Sequence, residues 1–131
     1  MPGVIRSFKD LDVWNVAMEL AVACYETTKS FPRSEQFGLT AQIRGAAVSV
    51  SANIAEGHGR FARREFLQFI RIARGSLSEL EAELVISRRL GYLAPDAAAS
   101  LEGLMKRCTS MLVRLAKSLD RKAANARART V

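Results

Sequence analysis

Small side chains crowd the stretch RGAAVSVSANIAEGHGR, which occupies residues 44–60. A helix that carries so many Gly, Ala and Ser residues lets a neighbouring helix approach closely. Its larger apolar side chains supply a ridge on one face: Ile43, Val50 and Ile54. Ser34 suits the N-cap of such a helix, and Gly57 is typical of a helix end. The pattern therefore predicts a helix over residues 34–56 that packs tightly against other helices.

Three breaks divide the chain into four segments: Phe31-Pro32, Gly57 to Gly59, and Gly91 to Pro95. Besides residues 34–56, we predict helices over about residues 10–30, 62–90 and 95–119. No stretch shows the period-two alternation of a strand. Four helices with short connections predict an all-α, antiparallel up-down-up-down four-helix bundle in one domain, residues 1–119. The apolar period stops at Leu119, so residues 120–131 are predicted to form a basic, flexible tail.

Three- and four-residue spacing predicts which face of the first helix points inward. The residues on that face are Leu11, Trp14, Met18, Ala21 and Tyr25. Asp10 is expected to cap this helix, because its carboxylate can accept hydrogen bonds from free backbone N–H groups. In the last helix, Pro95 suits the first position. Cys24 and Cys108 lack metal-ligand spacing and are expected to be buried thiols.

The charge balance of the chain is basic. Twenty Lys and Arg residues stand against 13 Asp and Glu, which gives a net charge of +7 over 131 residues. This excess favours an acidic partner such as RNA, DNA or an acidic protein. No apolar run approaches the roughly 20 residues of a membrane span, and the N-terminus shows no signal-peptide core. We therefore expect a cytoplasmic protein with no membrane partner.

Arginines concentrate at the start of the third helix. At about 100° per residue they fall within an arc of about 100°: Arg60, Arg63, Arg64, Arg71 and Arg74. The helix dipole disfavours cations near an N-terminus, so helix stability does not account for them. Acids follow later in the same helix, at Glu79, Glu81 and Glu83. Three explanations remain open: the arginines bind phosphates, they pair with glutamates of a neighbouring subunit, or they form a solvated charged face.

Catalytic machinery is not evident in the chain. Asn53 and Glu56 are paired polar groups of a kind found in active sites, but with one histidine in the whole chain, no Asp or Cys in motif context and no second carboxylate nearby in sequence we expect no enzyme. A buried inter-helix hydrogen bond or a contact at the helix C-terminus is the better interpretation of this pair. His58, between two glycines, is expected at the surface, with no metal and no cofactor bound. The aromatic residues Phe8, Trp14, Phe61 and Phe66 are expected to pack in the core rather than to stack on bases.

Four segments of this sequence resemble one protein family. They are residues 44–60, the stretch EFLQFIRIARGSLSELE at residues 65–81, FKDLDVW at residues 8–14, and LGYL at residues 90–93. The resemblance is to the small four-helix-bundle proteins encoded in intervening sequences of bacterial 23S ribosomal RNA genes. The chain departs from the usual family pattern at Gly45, where a second Arg is common, and at Ser51, where Pro is common.

The resemblance implies a homopentamer, as in this family and in the similar accessory variability proteins of diversity-generating retroelements. In those relatives a basic bundle works with a reverse transcriptase and RNA, so a protein partner of that kind is also implied. Helix packing or subunit contact would then involve the small-residue helix, at Ala47, Ser51, Ala52, Asn53 and Glu56.

The favoured function is a non-catalytic, oligomeric protein that binds nucleic acid non-specifically or scaffolds a nucleic-acid-processing partner. The helix-three arginines would bind phosphates together with residues of the tail: Arg121, Lys122, Arg127 and Arg129. The alternative is a structural protein–protein adaptor whose arginines form intersubunit ion pairs.

Overall fold

The computed structural model describes the backbone of residues 4–130, with side chains described for residues 4–121 and 128. Four α-helices make up this part of the chain: α1 (Asp12–Thr28), α2 (Leu39–His58), α3 (Arg63–Arg89) and α4 (Pro95–Thr130). Two short 3-10 helices precede α1 and α2, at Phe8–Asp10 and Arg33–Glu35. The described residues contain no strand, so the predicted all-α class is confirmed.

The four helices share one apolar core. Helices α1 and α3 each pack against both α2 and α4, whereas within the described residues the Cα atoms of the diagonal pairs, α1 with α3 and α2 with α4, stay more than 8 Å apart. Large side chains from every helix are fully buried: Leu20, Ile43, Ile54, Ile70, Leu80, Leu101 and Leu112. Burial of each such side chain stabilises the fold by about 1.5–3 kcal/mol. The core therefore holds the helices at fixed positions and presents their outer faces to solvent.

The inward face of helix α1 overlaps the predicted face only in part. Of the predicted stripe, Ala21 is buried and Leu11 and Trp14 pack against the core, but Met18 is 37% and Tyr25 42% exposed. The buried face carries smaller residues instead: Val13, Val16, Ala17, Leu20, Ala21, Cys24 and Thr28. Both faces of α1 are apolar, so the spacing alone did not locate the centre of the buried face. The helix consequently keeps an exposed apolar stripe in the isolated chain.

Asp10 does not cap α1, contrary to the prediction. It ends the first 3-10 helix, where its Oδ2 accepts hydrogen bonds from the backbone N–H groups of Arg6 at 2.8 Å and Ser7 at 3.1 Å. These hydrogen bonds stabilise the carboxylate and lower the pKa of Asp10. Helix α1 begins after Leu11, with no side-chain cap.

Helix α2 begins at Leu39 rather than near Ser34. The backbone first makes a 3-10 turn, and the Glu35 carboxylate accepts a hydrogen bond from the Leu39 N–H at 3.3 Å. The Tyr92 hydroxyl, from the α3–α4 connection, donates to the other Glu35 oxygen at 3.1 Å. This contact joins residues 57 positions apart. The start of α2 is thus set by a tertiary contact, which a local capping pattern does not reveal.

Helix α4 begins at Pro95, as predicted, but it continues to Thr130 instead of ending at Leu119. Leu119 is 7% exposed and is the last core residue among those whose side chains are described. Beyond it the sequence is rich in alanine, the residue with the highest helix propensity. The segment predicted as a tail is therefore helical through residue 130.

Both cysteines are fully buried, as predicted. Burial raises the pKa of the Cys108 thiol to about 11. Burial, reinforced by the nearby Glu83 carboxylate, raises the pKa of Cys24 to about 12. Both thiols are therefore protonated and unreactive at neutral pH. No helix in the described part of the chain is long and apolar enough to cross a membrane.

Candidate nucleic-acid interface

Four of the predicted arginines lie on one exposed face in the first half of α3. This arginine face consists of Arg63, Arg64, Arg71 and Arg74. At about 100° per residue, the four span about 100° of the helix circumference. Among the described residues, none of them has a carboxylate oxygen within 4.0 Å. Their guanidinium groups are available to an external anion.

Arg60 stands apart from the arginine face. It lies in the turn after α2, where its Nη2 donates to Glu56 Oε1 at 2.8 Å, and its guanidinium lies 5.3 Å from the centre of the Phe69 ring. Glu56 is itself exposed. This pair neutralises one charge at the turn and is a contact at the C-terminus of α2, which is one of the two interpretations of Glu56 drawn from the sequence.

The α2–α3 turn depends on a close contact at Gly57. A Cβ atom at this position would lie 2.6 Å from Phe69 Cβ and 2.9 Å from Phe66 Cδ1, so only glycine fits. Gly57 is buried inside the last turn of α2 and does not end the helix, which continues to His58. His58 is half-buried rather than exposed, because its ring packs edge-on against Phe66 with centroids 5.8 Å apart.

Phe61 is the aromatic residue for which the core prediction is wrong. Trp14 and Phe66 pack against the core, and the Phe8 ring lies edge-on against Trp14. Phe61 is instead 93% exposed, and its φ of 55° is left-handed, which no other non-glycine residue in residues 4–130 adopts. It sits at the tip of the α2–α3 turn, two residues before Arg63. The sequence gives no sign of this, because the turn conformation alone decides the direction of the side chain.

The acidic residues of α3 divide into two kinds. Glu79 and Glu81 are exposed, whereas Glu83 is only 6% exposed and its Oε1 has no hydrogen-bond donor among the described residues. Burial, followed by the neighbouring Glu79 carboxylate, raises the pKa of Glu83 to about 7. Glu83 therefore cannot serve as an exposed acid for a neighbour's arginine, contrary to one interpretation of the sequence. Glu83 lies three residues after Leu80 and four before Ser87, and both of these are buried. This helical spacing is the sequence signal that places Glu83 on the inward face.

The predicted packing residues of α2 take different positions. Ala47 is fully buried, and Ser51 is 6% exposed with its hydroxyl donating to the Val48 carbonyl at 3.0 Å. Ala52 lies on the opposite, exposed face. Of these three residues, Ala47 and Ser51 are buried within the protomer and Ala52 is not.

Asn53 makes its hydrogen bonds inside its own helix. Its Nδ2 donates to the Ser49 carbonyl at 2.8 Å and to the Ser49 hydroxyl at 3.0 Å. The Ser49 hydroxyl in turn shares a hydrogen bond with the Ser76 hydroxyl of α3 at 2.8 Å. The predicted inter-helix bond thus exists, but Ser49 makes it, and Asn53 orients Ser49. This network positions α3 against α2 without any group arranged for catalysis.

Of the predicted tail residues, Arg121 is exposed on α4. The side chains of Lys122, Arg127 and Arg129 lie outside the described residues. The described residues also contain no group of three or more His, Cys, Asp or Glu side chains that is arranged to hold a metal ion.

A groove of about 860 Å³ runs between the second half of α3 and the first half of α4. Its floor is apolar, with Leu84, Leu101 and Met105 among the lining residues, and Arg88 and Glu102 on its rim lie 3.8 Å apart. The sequence did not indicate this groove, because its lining comes from two helices that only the fold brings together. It lies at the opposite end of α3 from Arg63 and Arg64.

Fold and surface together define a small, basic, all-α protein with four helices and a face of unpaired arginines. Residues 9–114 match the 23S rRNA-intervening sequence protein family, and the chain belongs to that family. The resemblance seen in the sequence is thereby confirmed.

A solved structure also shares the fold. It is a protein of unknown function from the S23 ribosomal protein family of Bacteroides thetaiotaomicron VPI-5482. The two chains are 23% identical and superpose with a TM-score of 0.72, which covers 80% of this chain and 98% of the other. No curated protein shows significant similarity to this chain.

Proposed function

We propose that the protein is a non-catalytic, homo-oligomeric bundle that binds nucleic acid without sequence specificity or holds it for a processing partner in the cytoplasm. The helices in this proposal alternate in direction, as expected for four helices joined by short connections. One observation carries the binding role: the arginine face is exposed, and no carboxylate among the described residues neutralises it.

Arg63 and Arg64, in the first turn of α3, are locally unfavourable, because their charges oppose the helix dipole. Together with Arg71 and Arg74 they concentrate positive charge on one exposed face, where a phosphate backbone can bind. Guanidinium groups bind phosphate through paired N–H donors, which fixes orientation but does not read the bases. Binding should therefore depend on salt and tolerate any sequence.

Assembly is supported by the apolar faces that the protomer leaves in solvent. On α1, Val22 is 57% and Tyr25 42% exposed, and on α2, Val48 is 43% exposed. The guanidinium of Arg44, on α2, lies 4.7 Å from the centre of the Tyr25 ring, so the two faces adjoin. Exposed apolar faces of this kind mark contacts with other proteins. The family resemblance implies that the contact is with further copies, in a pentamer.

The adaptor remains the second candidate, because Glu79 and Glu81 are exposed. In that case they would pair with the arginine face of a neighbouring subunit. Such pairs would stabilise the oligomer and leave little positive charge for a nucleic acid.

A salt titration separates the two functions. We expect wild-type affinity for a generic RNA or DNA to fall with a log–log slope of roughly −0.7 to −0.9 per phosphate contacted. Replacement of Arg63, Arg64 and Arg71 by Gln should weaken binding and flatten the slope while the oligomer persists. The matched control removes three charges from exposed positions of α4, at Arg107, Arg114 and Lys117, and should change both quantities less.

Two results would contradict the proposal. The first is wild-type protein that shows no salt-sensitive binding. The second is an arginine-face variant that binds normally but falls apart into monomers, which is the outcome expected of the adaptor.

A further inference from the structure

Phe61 occupies a position that neither folding nor solubility explains. Its side chain is 93% exposed and so adds almost nothing to the apolar core. Its backbone is left-handed, with φ at 55°, a region that costs a non-glycine residue free energy. Glycine would adopt the left-handed backbone at position 61 with less strain, and a polar side chain would be more favourable in contact with water there.

The ring is supported from one side and open on the other. His58 lies 6.5 Å from it between centroids, and His58 is itself packed edge-on against Phe66. Phe61 therefore projects from an anchored turn, and the high exposure of the side chain leaves its ring accessible to a second flat group.

Unpaired cations lie beside this ring. Arg63 and Arg64 follow within three residues, both are exposed, and no described carboxylate oxygen lies within 4.0 Å of either. Consecutive Cα atoms are about 3.8 Å apart, so both Arg backbones lie within about 11 Å of the Phe61 backbone. A flat apolar surface next to two guanidinium groups matches a nucleotide, which joins a flat base to a phosphate.

The chemistry favours unpaired nucleotides over a duplex. In a duplex the base faces are stacked within the helix and cannot lie on an aromatic ring, whereas an unpaired base can leave the stack and do so. An acidic protein would use the arginines but would not require an exposed ring.

We propose that Phe61 is a stacking surface for an unpaired base of single-stranded nucleic acid, with Arg63 and Arg64 binding the phosphates next to that base. This inference rests on the proposed nucleic-acid-binding function and adds to it a preference for single strands.

The test compares Phe61→Leu with Phe37→Leu on single-stranded RNA of about 12 nucleotides and on the duplex of the same sequence. Phe37 is the matched control: it is 89% exposed and lies just before α2, whereas Phe61 lies just after it. We expect Phe61→Leu to weaken single-strand binding by about five- to a hundred-fold with little effect on the duplex. Phe37→Leu should change neither, and Phe61→Trp should retain single-strand binding with quenched fluorescence beyond that of Trp14.

Each contrary result has a distinct meaning. If Phe61→Leu binds the single strand as wild type does, while the arginine-face variant does not, stacking is wrong and the proposed function stands. The stacking role also fails if Phe61→Leu weakens single-strand and duplex binding equally. If the wild type binds neither RNA in a salt-sensitive way, both proposals fall. Circular dichroism of each variant establishes that the helices are intact.

Discussion

The carboxyl group of Glu83 lies one helical turn beyond that of Glu79 on α3, and the Glu79 carboxylate adds to the burial that raises the pKa of Glu83 to about 7. Glu83 Oε1 is buried without a donor among the described residues. A carboxylate in this setting costs free energy when it ionises, because burial removes water and Glu79 adds like charge. Near neutral pH the Glu83 carboxyl is therefore close to half protonated, and it opposes folding as it loses its proton.

Glu83→Gln should stabilise the protein at alkaline pH. Glu83 binds a proton more readily in the folded chain, where its pKa is about 7, than an ordinary glutamate does, with a pKa of 4.5. The contribution of Glu83 to the free energy of unfolding is therefore most favourable below pH 4.5 and is lost as the pH rises through 7. We expect the variant to gain about 1–2 kcal/mol over wild type at pH 8, after allowance for solvent screening.

Urea unfolding at pH 5 and pH 8 measures this effect. The gain should shrink at pH 5, and the exposed control Glu81→Gln should show no comparable dependence. A variant that is less stable than wild type at pH 8 would mean that an ionised Glu83 has a favourable partner.

Gly57→Ala should destabilise the protein, because the added methyl group would meet the Phe69 Cβ at 2.6 Å. Overpacking of this kind costs about 1–3 kcal/mol. Gly103→Ala is the matched control: this exposed α4 position has no atom within 4 Å of the added Cβ, so the helix should gain about 0.5–1 kcal/mol. Thermal or urea unfolding measures the change in stability of each variant. Equal changes for Gly57→Ala and Gly103→Ala would rule out the close contact at Gly57.

Phe61→Gly should be more stable than Phe61→Ala. Both substitutions remove the exposed ring, but only glycine accepts a φ of 55° without strain. The difference in unfolding free energy is expected to be about 1 kcal/mol. A thermal midpoint for the alanine variant equal to or above that of the glycine variant would argue against a left-handed turn in solution.

The mass in solution tests assembly. Light scattering at micromolar concentration should give about five times 14.4 kDa. Val48→Glu places a charge on the exposed face of α2 and should lower the mass without loss of helix signal, because the protomer core is untouched. Val85→Glu, at an equally exposed position on α3, is the control. A wild-type monomer at high concentration would refute the oligomer.

The features that sequence predicted well depend on local chemistry. Pro95 at a helix start and the buried thiols of Cys24 and Cys108 follow from backbone geometry and from the habits of single residue types. Gly57 was recognised as important but for the wrong reason, because its role comes from the Phe66 and Phe69 rings of another helix.

The features that sequence missed depend on the assembled fold. Helix α1 has two apolar faces, and only its neighbours decide which is buried. Helix α2 starts at Leu39 because the Glu35 carboxylate is held by Tyr92, far along the chain. The exposure of Phe61 follows from one backbone angle, which no pattern of residue types encodes.

The close packing of Gly57 against Phe66 and Phe69 affects the rate of ligand binding as well as the stability of the fold. Because Gly57 and His58 at the end of α2 pack against Phe66 and Phe69 of α3, we expect the separation of Phe61 and Arg63 to vary little before any ligand binds. A partner that binds at this turn does not have to order a flexible loop of the protein. Most of the conformational entropy lost on association is therefore lost by the partner. A glycine that touches no ligand would then govern how readily productive encounters occur.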